Sequence, residues 1–372
     1  MKLLYAFPEP LPLPRARGLQ VVNTVRALAE LGMDVDLCHA PGGGDPFEAS
    51  DLARPRNVLL TPLSRNLPWP LEGIHSNRFF AARLARHLRT RPPDAIMVRH
   101  LKIAQSLLER FPRIPLLYEA HEVFADTVPA RRQAQTAALE RLVVQGAQAV
   151  VANSRATAER LRERYDPLRS IAVIPNGVEF RSLIPEKDWA RCGGRIVYAG
   201  SFFGWKGVDD LVAAARELPG FNITLLGGDE ESIGRLRGKM TAGGAKLEFP
   251  GRVSPQRVAQ ALDEACIAVL PNRDDPDSAF TSPIKLFEYM AAGCAIVASD
   301  LPAVREILAE DEAVWVRPGD PQSLAAALRR LAADPDLARA LSARVRAKAR
   351  RFTWAQRATD LARILQTLAS AA

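Results

Sequence analysis

The sequence predicts two doubly wound α/β domains, each a parallel sheet with helices on both faces. Three observations lead there. Short apolar runs alternate with amphipathic helical stretches from end to end. The 372 residues exceed the size at which a single hydrophobic core keeps growing. Between Arg181 and Gly194 the apolar period lapses, and the same alternation then starts again.

Leu3 to Phe7 reads as the first strand, followed by Pro8, Pro10, Pro12 and Pro14, a ladder expected to form a stiff exposed loop. Val21, Val25, Leu28 and Leu31 then fall at helical spacing within Gly18 to Leu31, and Gly32 stands where a C-terminal capping glycine belongs. Further strands are expected at Val35–Cys38, Val58–Thr61, Ala95–Arg99, Leu116–Tyr118, Ala149–Ala152 and Ile171–Ile174. Helical stretches lie near Asn77–Thr90, Arg131–Gly146 and Ser154–Tyr165. Pro175-Asn176-Gly177 is a strong turn signal, and the domain boundary is placed near residue 180. The expected domains are thus 1–180 and 181–372. In the second, strands fall at Arg195–Ala199, Asn222–Leu226, Lys246–Phe249, Ile267–Leu270, Ala295–Ser299 and Ala313–Val316, and three helical stretches follow Pro321.

Composition narrows the class. Apolar residues make up 48% and charged residues 25%, an ordinary soluble balance. Cys38, Cys192, Cys266 and Cys294 are scattered without metal-knuckle or redox spacing, and read as reduced thiols of a cytoplasmic protein. The first residues carry too short an apolar run for a signal peptide, and no stretch approaches the roughly 18 to 20 apolar residues of a membrane span. A net charge of +8 implies an anionic partner. Aromatic residues are only 6% and do not interleave with the arginines, which argues against nucleic acid.

In parallel α/β sheets, ligands bind beyond the carboxyl ends of the strands. That rule selects Arg15 to Gly18, Glu119 to Glu122, Gly200 to Gly207, Gly227 to Asp229, Gly251 to Val253 and Asn272 to Glu288. Within the last, Ser282 is a good N-cap and Pro283 a good first helical residue, so the helix start forms an anion site that Lys285 reinforces. Glu288, six residues past that cap, suits a sugar diol. An ordinary capped helix with a surface Lys–Glu pair gives the same pattern. Lys206 opens another helix, where its ammonium would neutralise a leaving diphosphate. His121 follows a strand end of the first domain and would face Lys206 and Glu288 across a cleft; a structural histidine is the alternative. Gly18 either lets backbone approach a phosphate or only shapes a turn.

Taken in order, Arg17-Gly-Leu-Gln20, Tyr118-Glu-Ala-His-Glu122, Val151-Ala-Asn-Ser154, Ile174-Pro-Asn-Gly-Val178, Gly200 to Gly207, Gly251-Arg-Val253 and Ser282-Pro-Ile-Lys-Leu-Phe-Glu-Tyr-Met-Ala291 resemble the retaining GT-B glycosyltransferases of family 4, also called glycosyl transferases group 1. The resemblance covers nearly the whole chain. It implies two Rossmann-like domains facing across a cleft, with the last helix, about 354–372, packing back on the acceptor-side first domain. It implies transfer of a sugar from a nucleotide-diphosphate-sugar to a glycan, lipid-linked or small-molecule acceptor, without metal or other cofactor. His121, Lys206 and Glu288 would be catalytic. Lys206 would bind the diphosphate, with Gly18 and Arg17 against it, and Glu288 would hold the ribose. Arg252 and Val253 would border the base, and the backbone of Ser282, Pro283, Ile284 and Lys285 would cradle phosphate and sugar. Ser201 stands where many members carry arginine, which shifts weight to Lys206, Lys285, Arg15 or Arg17. Phe280 replaces a frequent glutamate, leaving Asp277, Thr281 or a main-chain group to reach the donor sugar.

Arg78 to Arg91 carries five arginines and no acid, with Phe80, Leu84 and Leu88 on one side of the helix and Arg78, Arg83, Arg86 and Arg89 on the other. Such a helix either docks on the anionic inner face of a membrane or packs its apolar side on the sheet. Two other functions fit the two-domain pattern: a non-hydrolysing nucleotide-sugar epimerase and a non-catalytic two-lobed binding protein. The lack of Gly-x-Gly-x-x-Gly after the first strand argues against a dinucleotide dehydrogenase.

Overall fold

The computed structural model describes residues 1–372 except 14, 68–75, 168, 276–283 and 372, and except the side chains of 191 and 192. The chain forms two compact units, Met1–Gly177 with Trp354–Ala372, and Val178–Thr353.

The first unit is built on a seven-stranded sheet with every described pairing parallel. Its strands are β1 (Lys2–Pro10), β2 (Asp34–Ala40), β3 (Val58–Pro62), β4 (Ala95–Val98), β5 (Leu116–Ala120), β6 (Ala149–Ala152) and β7 (Ile171–Val173), in the spatial order 3-2-1-4-5-6-7. The order reverses between β1 and β4, where Leu3 pairs with Ala95. Both faces of such a sheet are covered, so its strands are apolar throughout rather than alternating. All four residues of β4 and all five of β5 are accordingly buried, Glu119 included.

The second unit repeats the plan with β8 (Arg195–Ala199), β9 (Asn222–Leu226), β10 (Lys246–Gly251), β11 (Ile267–Leu270), β12 (Ala295–Ser299) and β13 (Val314–Val316), ordered 10-9-8-11-12-13. These strands are parallel as well, and the order reverses between β8 and β11. Two apolar layers sandwich the sheet, one centred on Leu211, Leu225 and Leu328, the other on Leu286, Met290 and Val345.

Several elements differ from expectation. β1 runs on to Pro10, with a register irregularity after Phe7, so the first two prolines belong to the strand end rather than to a loop. Proline is tolerated there because an irregular strand end asks for no ladder N–H. The first helix spans Ala16–Glu30; Leu31 is its C-cap and is 49% exposed, and Gly32 takes φ of 86°. β5 extends two residues past Tyr118, and a helix at Leu101–Arg110 follows β4. Cys266 is disulfide-bonded, which corrects the reading of four reduced thiols; Cys38 and Cys294 are free and buried.

In the helix Asn77–Thr90, Phe80, Leu84 and Leu88 are buried against the fold, so the apolar side is used in packing. Arg83 donates to the Ser64 carbonyl at 2.8 Å, while Arg78, Arg86 and Arg89 are exposed. Among the described residues, no helix is long and apolar enough to cross a membrane.

The last helix, Trp354–Ser370, packs against Ala16–Glu30 and buries Leu361 and Leu365 completely. Leu361→Ala is expected to destabilise the first unit by about 2–5 kcal/mol, read as a lower urea midpoint, because the cavity cannot collapse between two helices.

Candidate functional site

In the second unit the strand ends meet through glycine contacts that tolerate no side chain. The Gly200 N–H donates to Leu226 O at 2.9 Å and the Gly227 N–H to Gly251 O at 2.7 Å, which brings the turns after β8, β9 and β10 side by side. Gly227 has φ of 115°, and a Cβ there would lie 1.9 Å from the Gly200 carbonyl. Tyr289 is fully buried; its hydroxyl accepts from the Ala199 N–H at 2.8 Å. The helix Ile284–Ala291, which carries Lys285 and Glu288, is thereby fastened to the strand that feeds the Gly200–Gly207 loop.

That loop holds Ser201, whose carbonyl accepts from Tyr198 Oη at 2.7 Å, then a short turn over Gly204–Lys206. Gly207 closes it at φ of 68°, where a Cβ would sit 1.7 Å from Pro271 O. Lys206 Nζ lies 3.8 Å from the centre of the Trp205 ring, and no carboxylate pairs with it among the described residues. Burial pulls its pKa down to about 8. At neutral pH the ammonium still predominates, held by an indole face and open to an anion.

Lys285 and Glu288 are paired with each other at 2.7 Å and are 33% and 25% exposed. No hydrogen bond or ion pair joins either to Lys206 among the described residues. Ile284 begins the helix, whereas Thr281, Ser282 and Pro283, with Asp277 and Phe280, lie outside the described residues. Arg252 is exposed beyond β10, and Val253 packs against the apolar layer below. Arg273, inside the selected stretch Asn272–Glu288 but given no role there, forks onto Asp210 at 2.7 and 2.6 Å and donates its backbone N–H to Trp205 O. It ties the lysine loop to the segment after β11. Nearby Asn272 is buried, and its Oδ1 finds no partner among the described residues.

In the first unit the expected residues lie at the carboxyl edge of the sheet. Gly18 is required by packing, since a Cβ there would lie 2.3 Å from Leu13 O, so the turn-shaping reading has the direct contact. Arg17 is paired with Glu9 at 2.5 Å. His121 directly follows β5, and Asn153 Nδ2 donates to its backbone carbonyl at 3.0 Å. Its Nε2 is 3.0 Å from Glu119 Oε1, close but out of line for a hydrogen bond. Glu119 is 1% exposed and accepts from Tyr5 Oη at 2.6 Å, from Gln20 Nε2 at 2.8 Å and from Arg357 Nη2. Arg99 in turn donates to Gln20 Oε1 at 2.9 Å.

These charges set two protonation states. Burial opposes ionisation of Glu119, but His121, Arg357 and Arg99 outweigh it and hold the carboxyl well below its usual range. Burial, then Arg99, pulls the His121 pKa down to about 4 against the opposing pull of Glu119. The imidazole is therefore neutral at physiological pH, able to donate from one nitrogen and accept at the other.

Asp36, Cys38 and His87 of the first unit have ligand atoms within 4.8 Å of one another and form a candidate metal-binding group. They already satisfy each other: His87 Nε2 lies 2.6 Å from Asp36 Oδ2, and Cys38 Sγ lies 3.7 Å from Asp36 Oδ1.

The protonation states predict acid sensitivity. With His121 held near 4 against an ordinary 6.5, and Glu119 held below its ordinary 4.5, the unfolded chain binds more protons than the folded one as pH falls. Stability is therefore expected to drop from about pH 6.5 downward through the imidazole, and below about 4.5 through the carboxylate as well. His100, also pulled to about 4, and His39 add to the same slope. Melting temperatures of wild type and His121→Asn between pH 7.5 and 4.5 check this: the variant should show the shallower slope.

Comparison with known proteins fits this geometry. Residues 18–181 match the family model Glycosyltransferase Family 4, and residues 193–334 match Glycosyl transferases group 1. The phosphatidyl-myo-inositol mannosyltransferase of Mycolicibacterium smegmatis is 32% identical over 221 residues, 56% of this chain and 55% of that protein. A D-inositol 3-phosphate glycosyltransferase of Xylanimonas cellulosilytica is 29% identical over 60% of this chain and 57% of its own length. The chain thus spans about half the length of the curated relatives it matches. Among solved structures, the sucrose-phosphate synthase of Thermosynechococcus elongatus superposes with a TM-score of 0.79 at 20% identity, covering 100% of both chains. Anabaena HepE in complex with UDP-glucose gives 0.76 at 16% identity, covering 99% of this chain and 100% of its own. With two Rossmann-like parallel-sheet units and two matched models that together span most of its length, the chain belongs to the GT-B glycosyltransferases of family 4, glycosyl transferases group 1.

Proposed function

We propose that this chain is a retaining glycosyltransferase that uses a nucleotide-diphosphate-sugar donor and needs no metal. The observation that carries the reading is Lys206, an ammonium held over Trp205 at a strand-end loop with no carboxylate partner among the described residues. A cation left uncompensated in this way is suited to a ligand that brings its own negative charge. The Anabaena protein of the same fold is described with UDP-glucose, which supports a nucleotide sugar here.

In this reading the bond from the anomeric carbon to the diphosphate oxygen breaks, and the developing charge is met by Lys206. The acceptor hydroxyl attacks from the face that the diphosphate leaves. Its proton passes to a departing phosphate oxygen, so the products are the glycoside and a free nucleoside diphosphate. Glu288 takes the ribose hydroxyls by giving up its pairing with Lys285, which turns toward phosphate. Arg252 and Val253 border the base. Neutral His121 hydrogen-bonds the donor sugar without adding positive charge beside an oxocarbenium-like carbon. The relatives' names point to an acceptor of the inositol phosphate class, free or lipid-linked. Peripheral contact with an anionic membrane, on the cytoplasmic side where the acceptor would lie, would rest on charge alone through Arg78, Arg86 and Arg89.

Incubation with a panel of nucleotide sugars, with and without inositol phosphates or lipid extract, should release nucleoside diphosphate, unchanged by chelator. Lys206→Ala should weaken donor binding by roughly 10- to 100-fold, the worth of a charge-assisted contact of about 1.5–3 kcal/mol. Glu288→Gln should weaken it less. Wild-type affinity in both variants, measured by calorimetry, would contradict the site. Sedimentation with liposomes should depend on anionic lipid and fade at high salt; equal recovery with neutral lipid would remove the membrane from the proposal.

A further inference from the structure

Arg357 opens the last helix, more than two hundred residues after β5 in sequence, and is 3% exposed. All three of its guanidinium nitrogens are engaged within the first unit. Nη1 donates to Ile174 O at 2.7 Å and to Pro175 O at 2.8 Å, Nε reaches Thr24 Oγ1 at 3.4 Å, and Nη2 meets Glu119 Oε1. Ile174 and Pro175 lie in the last stretch of chain before it leaves this unit at Gly177, and Arg357 lies just after it returns at Trp354. The same Glu119 oxygen that receives Arg357 lies 3.0 Å from His121 Nε2. Gln20 from the first helix shares Oε1 with Arg357, and Tyr5 from β1 holds Oε2, so both oxygens are pinned and the carboxylate keeps one orientation.

We propose that Glu119 and Arg357 are positioning residues for His121: the carboxylate fixes which ring nitrogen carries the proton, and the guanidinium keeps that carboxylate ionised and aimed. A carboxylate beside Nε2 favours the tautomer with its proton on that nitrogen and leaves Nδ1 as the acceptor. The imperfect alignment suits a contact that tightens when substrate binds. Arg357 acts by charge as well as by shape. The charged groups facing His121 are Glu119 from β5, Arg99 from the end of β4 and Arg357 from the last helix. Of these, only Glu119 favours imidazolium; the two arginines oppose it. The last helix is on this account part of the reaction machinery of the first unit, and not only a clasp. This rests on reading His121 as the group beside the donor sugar.

The test compares Arg357→Gln, Arg357→Lys, Glu119→Gln and the double variant Arg357→Gln/Glu119→Gln. Two readouts are used: turnover against pH, and titration of the five histidine imidazoles by NMR, with the His121 signal assigned by its loss in His121→Gln. Arg357→Gln should move the His121 titration and the acid limb of kcat upward, while Arg357→Lys keeps both near wild type. Glu119→Gln should lower kcat roughly 10-fold or more with donor KM little changed. The double variant buries no unpaired charge, so it should melt closer to wild type than Arg357→Gln while kcat stays low. An unshifted His121 titration in folded Arg357→Gln, equal damage from Gln and Lys at 357, or wild-type kcat in the double variant would each overturn the proposal. Absence of nucleoside diphosphate release from the wild type would sink the transferase reading alone, since the imidazole titration needs no donor.

Discussion

The first unit is organised around one buried charge. Taking a carboxylate out of water costs several kcal/mol unless every lone pair is met. Glu119 offsets most of that cost with three donors, from β1, the first helix and the last helix, in a strand that is otherwise wholly apolar. Elements far apart in sequence are therefore held to one point, and loss of any donor leaves the ion under-satisfied. Such a network stabilises little relative to a well-packed apolar core, but it admits only one arrangement. The residue that profits is His121, two positions further along the chain.

The second unit reaches its precision by a different route, through main-chain contact. Its loops after β8, β9 and β11 approach so closely that only hydrogen atoms fit at Gly227, against the Gly200 carbonyl, and at Gly207, against the Pro271 carbonyl. Backbone contact of this kind fixes loop position without side-chain entropy, and it leaves Lys206 free of structural duty. Arg273 and Asp210 close the same loop from the far side with a fork geometry that lysine would not reproduce. The two units share a doubly wound plan yet weight their means differently, with a buried carboxylate network at the strand ends of the first and close glycine packing, closed by one Arg–Asp fork, at those of the second.

Much of this was legible in the sequence, for identifiable reasons. Parallel strands buried on both faces read as unbroken apolar runs, so β4, β6, β8, β11 and β12 stand where the runs do. The ligand edge follows from strand direction alone. What stayed hidden depends on contacts between distant positions. Nothing near Arg357 marks it as the partner of a residue on β5, and the helix it opens has an ordinary amphipathic pattern. Glu119 looked like one polar residue among several after Tyr118, because a buried charge breaks the pattern by which buried strands are recognised. The same effect ended β5 two residues early in the reading. Pro8 and Pro10 misled in the opposite direction, since proline argues against a central strand unless an irregularity removes the need for its N–H. The apolar stripe of Asn77–Thr90 has the same spacing whether it faces lipid or a sheet, and only the buried Phe80, Leu84 and Leu88 decide between them.

The contrast between Glu119 and Lys206 is between a charge that gathers partners within the fold and one that has no carboxylate partner among the described residues. A buried ion needs partners, as Glu119 has, and their removal is felt in the unfolded fraction as well as in the group it positions. Lys206 has an indole face and desolvation but no counter-ion among the described residues, so the folded chain gains little from its charge and loses hydration by holding it there. A chain under no demand but stability would place a glutamate opposite it or an apolar residue in its stead. The local disadvantage is removed only when an anion arrives, and a departing diphosphate carries most charge at the moment the glycosidic bond is breaking. Interaction that grows toward the transition state is what lowers a barrier, and in the proposed reaction the Lys206 ammonium supplies that kind of interaction.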